Sequence, residues 1–256
     1  FINTGELDIK TTYVLPVTIK SVEGIGVLQS AKTYYYVFRG ASLINVVCNI
    51  SRNRAYPDFK NDSKFNNLTE NTMEILFKAN SFPNTLNTLM GIESNYLLRI
   101  GDATIPNNQL QVATSVNNCT SADLQLESGK WYHVAVAFNK GNVKVYINGV
   151  EKLSGSTGKS SVSLGAKHTN EEDGSRCFWV GYSYKDDRYF DGVVSEVRIW
   201  NRALTAEEIQ ATNHFYTIEP ESEGLIAYWK FDEGSGTVAK DYSVSGYDLT
   251  IEKEPK

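Results

Sequence analysis

The densest gathering of side chains able to do chemistry runs from Trp179 to Tyr189, Trp-Val-Gly-Tyr-Ser-Tyr-Lys-Asp-Asp-Arg-Tyr. Rigid rings offer flat apolar faces, and guanidinium or carboxylate groups beside them offer hydrogen bonds. A shallow surface with both can hold a sugar, stacking on the apolar side of its ring and bonding its hydroxyls. On that reading Trp179, Tyr182 or Tyr184 is the stacking platform, with Arg188 and Tyr189 beside it. Arg99 and Asp102 are further polar contributors. The same rings could equally be packing that covers a sheet.

Other chemistries find less support. Glu196 stands two residues from Arg198 on one face of a β-type run, which an ion pair explains simply. His133, His168 and His214 lie far apart without metal-ligand spacing, so each is expected in structural surroundings. Cys48, Cys119 and Cys177 are odd in number and form no C-x-x-C pair, which predicts free, buried thiols. No Ser/His/Asp order, Cys/His pair or phosphate loop stands out. The acidic triplet Glu171-Glu172-Asp173 reads as part of a solvated loop.

Composition removes further classes. The 25 basic residues are outnumbered by 30 acidic ones, net −5, so no basic surface is available to hold phosphates, and nucleic acid is not an expected partner. No apolar run approaches the roughly 20 residues that cross a bilayer as a helix. The sequence opens at Phe1 without signal-peptide features, so any targeting segment is expected to have been removed or to lie outside it.

The elements that must carry these residues are strands. Two β-type runs, Phe178 to Tyr184 and Phe190 to Trp200, read as a strand pair, and the second feeds a short helix. Thr205 and Glu208 have the spacing of a capping box for that helix. Met73, Ile75, Phe77 and Ala79 alternate with Thr72, Glu74, Leu76 and Lys78 as a half-buried strand, and 88–93 with 96–102 read as a hairpin. Residues 131–153 form a three-stranded meander closed by Asn148-Gly149, the pair a type I′ turn demands. Tyr132, Val134, Val136 and Phe138 face inward; the face of Trp131, His133, Ala135 and Ala137 is too apolar to be left bare, so something covers it or binds it. Tyr13 to Lys20 and Thr33 to Phe38 are earlier strands, and Pro16 confines the first to an edge or a bulge. Asn49 to Glu70 is rich in Asn, Asp, Ser, Lys and Arg and reads as a linker or lead-in loop. The fold class expected is all-β, an antiparallel two-sheet sandwich with one short helix.

The motifs F-x-V-G at 178–181 and F-D-G-x-V-x-E-V-R-I-W-N-R-A-L-T-x-x-E-I at 190–209 make the chain resemble a laminin-G-like, concanavalin A-type lectin/glucanase domain. Trp131 to Val136, Val143 to Gly149 and Gly224 to Gly236 fit the same resemblance. It implies a jelly-roll sandwich over 71–256, a linker over 49–70, and over 1–48 the tail of an immunoglobulin-like domain of the kind found in bacterial glycan-utilisation lipoproteins. It also implies noncatalytic glycan binding at the bacterial cell surface or outer membrane, with an oligosaccharide or polysaccharide as partner and other surface glycan-uptake proteins nearby. A structural calcium ion on Asp232 and Asp241 follows from the same resemblance, and Gly-rich turns with hard oxygen ligands suit it. Glucanases of this type carry E-x-D-x-x-E along a strand, and no such string occurs here. A protein-contact or spacer module in a surface assembly is the competing reading; a glycoside hydrolase has the least support.

Overall fold

The computed structural model describes residues 12–23, 26, 28, 30, 32–39, 46–169 and 176–255. The chain divides into two compact units, Phe1–Leu43 and Ile44–Lys256. In the first, β1 (Thr12–Thr18) and β2 (Thr33–Arg39) pair antiparallel with Pro16 opposite Tyr35. The pair is the whole sheet among the described residues, so β1 keeps one unpaired edge and tolerates the missing N–H of Pro16.

The second unit opens with two short strands, β3 (Cys48–Asn49) and β4 (Ala55–Pro57). Long strands follow: β5 (Glu70–Ala79), β6 (Asn87–Ile92), β7 (Tyr96–Asp102) and β8 (Ile105–Thr114), then the short β9 (Asn118–Cys119). The expected meander is β10 (Trp131–Asn139), β11 (Asn142–Ile147) and β12 (Val150–Ser156). Next come β13 (Trp179–Val180), β14 (Gly192–Trp200) and the helix α1 (Ala206–Ile209). The unit ends with β15 (Leu225–Trp229), β16 (Val238–Ala239) and β17 (Leu249–Ile251).

Two antiparallel sheets result. One runs β12-β11-β10-β5-β14-β15, with β3 also on β14; the other runs β16-β17-β4-β13-β6-β7-β8-β9. Alternation explains their inner faces. Met73, Ile75, Phe77 and Ala79 of β5 and Val134, Val136 and Phe138 of β10 meet Met90, Leu98, Ile100, Leu110 and Val112 of the other sheet in one core. Strand β14 keeps both Val194 and Val197 in that core although they are three residues apart. A bulge makes this possible: the register against β5 slips between Ser195 and Arg198, and Glu196 takes a φ of +49°.

Three expectations are corrected. Residues 49–70 are no linker: β4 lies inside the eight-stranded sheet, and Ile50, Ala55, Phe59 and Phe65 are fully buried. Their apolar residues are spaced by turns rather than by a strand period: Phe59 precedes and Phe65 ends a 3₁₀ turn at Ser63–Phe65, and the two rings stack at 3.9 Å. The runs 178–184 and 190–200 do not pair. Val180 joins Ala55 and Met90 in the eight-stranded sheet, and the 3₁₀ turn Asp186–Arg188 leads the chain to β14 in the other. Strand β5 is buried on both faces, since Thr72, Glu74 and Leu76 are covered as well.

The segment that follows β14 covers Thr72 and Glu74, through Arg202, Leu204 and His214. Its helix is short but has the capping box in place, the Thr205 hydroxyl accepting from the Glu208 N–H and the Glu208 carboxylate from the Thr205 N–H. Leu204, Ile209 and Phe215 pack with Ala135, Ala137 and Tyr146, which are the apolar outer-face positions of β10 and β11. Beneath this cover lies a buried polar group of Glu74, Glu196, Arg198, Trp200 and Tyr228. Burying these groups requires that they satisfy one another.

Candidate functional site

The outer face of the eight-stranded sheet carries the aromatic stretch. Strand register sets Trp179 beside Gly91, Gly91 beside Leu97 and Leu97 beside Ala113 across four strands. Around Trp179 the rings are continuous: Tyr56 stacks on His168 at 3.5 Å, Trp179 meets Tyr56 at 5.2 Å and Tyr182 at 5.0 Å, and Tyr182 meets Tyr189 at 4.9 Å. The contacts of Trp179 with Tyr56 and Tyr182 are edge-to-face, a favoured aromatic arrangement. The Arg54 guanidinium lies over Trp179 and Tyr182, at 5.1 and 4.6 Å, and is tied down by Glu252.

A second focus surrounds Tyr184. Arg188 covers its ring at 4.6 Å, with Arg176 at 5.0 Å and Lys185 at 5.5 Å. Arg188 Nη1 donates to Glu93 Oε2 at 2.8 Å, and Glu93 Oε1 lies 3.9 Å from Arg99 Nη1. Arg99 in turn donates to Asp102 at 2.5 Å and, through Nε, to Gln111 at 2.8 Å. Glu93 therefore links the loop residue Arg188 to the strand residue Arg99. Both polar contributors named from the sequence reach the aromatic stretch through it.

The placement of the rings revises the expected platform. Trp179 is 4% exposed and Tyr182 1%, so neither presents a face to solvent. Alternation correctly turns Trp179 away from Val180 and the main core, but the chain that continues through Tyr182 folds back over it. Tyr184, Arg188 and Tyr189 are half-buried, as are Tyr56, Arg54 and His168, which the sequence did not bring forward. Trp179 Nε1 is buried with no hydrogen-bond partner among the described residues. Asp186, also within this stretch, contributes to the turn backbone.

Asp232 and Asp241, the residues expected to hold calcium, have different surroundings. Asp241 is buried and accepts the backbone N–H groups of Tyr228, Ser243 and Tyr247, each at 2.8 to 2.9 Å, so its oxygens organise the turn between β15 and β17. Asp232 is exposed and accepts from the Tyr242 hydroxyl at 3.5 Å. The three cysteines are free and buried as expected, and burial pushes the Cys48 thiol up to about 12, with Glu233 adding to the effect. Cys177 Sγ lies 3.2 Å from His168 Nδ1 under the aromatic stretch. His133 and His214, far apart in sequence, converge on Glu74 at the other sheet. The triplet Glu171-Glu172-Asp173 falls outside the described residues.

Residues 53–210 match the family described as the concanavalin A-like lectin/glucanases superfamily. A solved structure from Bacteroides ovatus, that of a candidate carbohydrate binding protein, is 26% identical over 97% of this chain and 69% of that one, with a TM-score of 0.73. Domain 4 of the arabinanase AbnA from Geobacillus stearothermophilus, solved with arabinotriose, is 22% identical over 64% of this chain and 74% of that one, at a TM-score of 0.46. The SAP-like pentraxin of Limulus polyphemus is 15% identical over 68% and 84%, at 0.45. At those two scores neither bears on what this chain binds. A search of curated proteins returns no match.

Proposed function

The chain belongs to the concanavalin A-like lectin/glucanase superfamily, and we propose that it is a noncatalytic carbohydrate-binding protein that captures an oligosaccharide or polysaccharide at the bacterial cell surface. The observation that carries this reading is the half-exposed set of Tyr184, Tyr189 and Tyr56 on the outer face of the eight-stranded sheet, with Arg188 and Arg54 beside the rings. Such a surface offers stacking faces that are already immobilised and cationic donors that are already placed, so little ordering cost is left for binding. The likeness to the Bacteroides ovatus protein, over nearly the whole chain, supports glycan binding in general.

The carboxylates of Glu93 and Asp102 in the patch are occupied, while Asp187 is exposed, with Arg188 Nε 3.9 Å away. Glu93 is engaged by Arg188 and Arg99, and Asp102 by Arg99. Glu196 and Glu74 are buried against Arg198 on the other sheet. A glycosidase needs two carboxyl groups that flank an accessible sugar bond, about 5 to 5.5 Å apart when configuration is retained. Glu93, Asp102, Glu196 and Glu74 are not free for that role, and the exposed Asp187 is a single carboxyl group where two are needed, which supports binding without hydrolysis. Membership of a larger glycan-uptake assembly is part of the same proposal.

The test is a glycan array probed with the intact protein, followed by calorimetry on any hit. Saturable binding to a defined glycan, with no reducing ends released on long incubation, is the expected result. Binding to no glycan on a broad array overturns the proposal and favours the protein-contact module; release of sugar overturns its noncatalytic part.

A further inference from the structure

The polar cluster under the α1 segment contains a convergence unrelated to the aromatic stretch. Glu74 comes from β5, His133 from β10, and His214 from the chain just after α1. One ligand atom from each lies within 4.8 Å of the others. All three side chains are buried. Both imidazoles aim at the same oxygen: Glu74 Oε1 is 3.3 Å from His133 Nε2 and 2.6 Å from His214 Nε2.

Two features separate this from an ordinary buried ion pair. First, His133 is fully buried, yet among the described residues neither ring nitrogen has a well-aligned hydrogen-bond partner; Glu74 Oε1 is 3.3 Å from Nε2 but off the line of a good hydrogen bond. A buried donor or acceptor left unsatisfied costs roughly 1–3 kcal/mol, so such a group calls for a partner. Second, the surroundings fix the donors as outer contacts fix metal ligands. Trp200 Nε1 donates to Glu74 Oε2 at 2.7 Å and leaves Oε1 to the histidines. Phe215 stacks on the His133 ring at 4.4 Å, and the His214 ring stands perpendicular to it, 5.8 Å away.

Charge favours a cation at this point. Arg198 lies 3.8 Å from Glu74 Oε2, but it is bonded to Glu196, so one guanidinium stands between two carboxylates. Imidazole nitrogen and carboxylate oxygen are zinc ligands, with bonds of about 2.0–2.2 Å, which put neighbouring ligand atoms roughly 3.3 Å apart at a tetrahedral angle. The His133 separation already matches. The His214 contact has to open by less than about 1 Å.

We propose that Glu74, His133 and His214 form a buried site for a divalent transition ion of the zinc type, which fastens the segment carrying α1 to the outer face of the seven-stranded sheet. Three protein donors leave a fourth position for water. The ion supplies His133 with the partner it lacks and balances the second carboxylate. The site is structural, and it lies on the opposite sheet from the proposed glycan surface.

The experiment uses the intact chain, stripped with a chelator and dialysed, then titrated with Zn²⁺ by calorimetry and with Co²⁺ by visible absorption. The expected result is one ion per chain, a Co²⁺ ligand-field band and a rise in Tm on adding Zn²⁺. His133→Gln and His214→Gln lose the band, while His168→Gln, which alters a histidine on the other sheet, keeps it. Should the two cluster variants fail to fold, X-ray absorption on the Co²⁺-loaded parent decides, with a shell of two imidazoles expected. No stoichiometric ion in the parent, a band unchanged in the folded cluster variants, or a shell without imidazole overturns the proposal.

Discussion

Glu196 and Arg198 form a buried ion pair across a β-bulge: Arg198 Nη2 donates to Glu196 Oε2, which also accepts the Tyr228 hydroxyl at 2.6 Å. The bulge turns Glu196 outward while Val194 and Val197 stay in the core. Arg198 further donates to the carbonyl of His214 at 2.6 Å, so one guanidinium ties β14 to the covering segment. Burial raises the Glu196 carboxyl, and Arg198, though it acts in the opposite direction, does not fully offset this. Replacing Arg198 with Met leaves Glu74 and Glu196 buried without it. A loss of about 3–5 kcal/mol is expected in urea unfolding. Arg198→Lys should recover little of it, since an ammonium cannot reproduce the fork. A loss below about 1 kcal/mol for Arg198→Met would show that water or protonation compensates.

Asp191 holds the start of β14 by accepting the hydroxyls of Ser51 at 2.8 Å and Ser81 at 2.6 Å, with the Asn80 amide at 3.4 Å. Burial acts to raise its carboxyl, and these donors outweigh it, so the folded-state pKa lies below the ordinary 3.8. A depressed carboxylate adds stability that is present above 3.8 and lost as pH falls through the folded value. Asp191→Asn should therefore cost about 1–2 kcal/mol at neutral pH, and the gap from the parent should close in acid. Unfolding curves at several pH values check this; a gap that stays constant below pH 3.8 contradicts the assignment.

Gly91 sits between Trp179 and Leu97 with a φ of +121°, and a Cβ there would meet the Tyr96 carbonyl oxygen at 2.4 Å. Gly129 also has positive φ, +77°, but nothing lies within 4 Å of its Cβ position. Gly91→Ala should cost more than about 2 kcal/mol and Gly129→Ala only about 1, since the second suffers backbone strain alone. Equal melting shifts for the two would remove the role given to close approach.

What the sequence made legible was whatever has a short period. Strands β5 and β10 announce their core faces by alternation, the Thr205–Glu208 box marks α1, and positive φ at Asn148 and Gly149 matches the turn chemistry. The bulge is also written there, in the phase slip from Val194 to Val197, although alternation alone does not say why. Residues 49–70 look like a linker because their strands are two and three residues long and are separated by polar turns, too short for a period. Alternation gives the face of Trp179 but not its cover, which is built by the chain turning back at Tyr182 and by Tyr56 from β4. The meeting of His133 with His214 has no local mark at all. It follows from where the covering segment crosses β10, which only the tertiary arrangement fixes.

The aromatic surface can be divided experimentally into what packs and what binds. Trp179 is enclosed by Tyr56, His168 and Tyr182, so truncating it leaves a cavity, and Trp179→Ala should cost about 3–5 kcal/mol of stability. Trp179→Phe keeps an aromatic ring and removes the orphan Nε1 donor, so it should cost much less. Tyr184 is half-buried, with the Arg188 guanidinium held over its ring by Glu93, so a sugar would use the part of the ring that stays exposed. Tyr184→Ala should leave Tm nearly unchanged and weaken an array-identified glycan at least tenfold, about 1.4 kcal/mol. Tyr189→Ala should behave similarly, and Arg188→Ala should weaken binding while also loosening Glu93. Calorimetric titration of each folded variant separates the two roles. If Tyr184→Ala and Tyr189→Ala both bind as tightly as the parent, the ligand does not use this face, and the rings there serve only to close the outer side of the sheet.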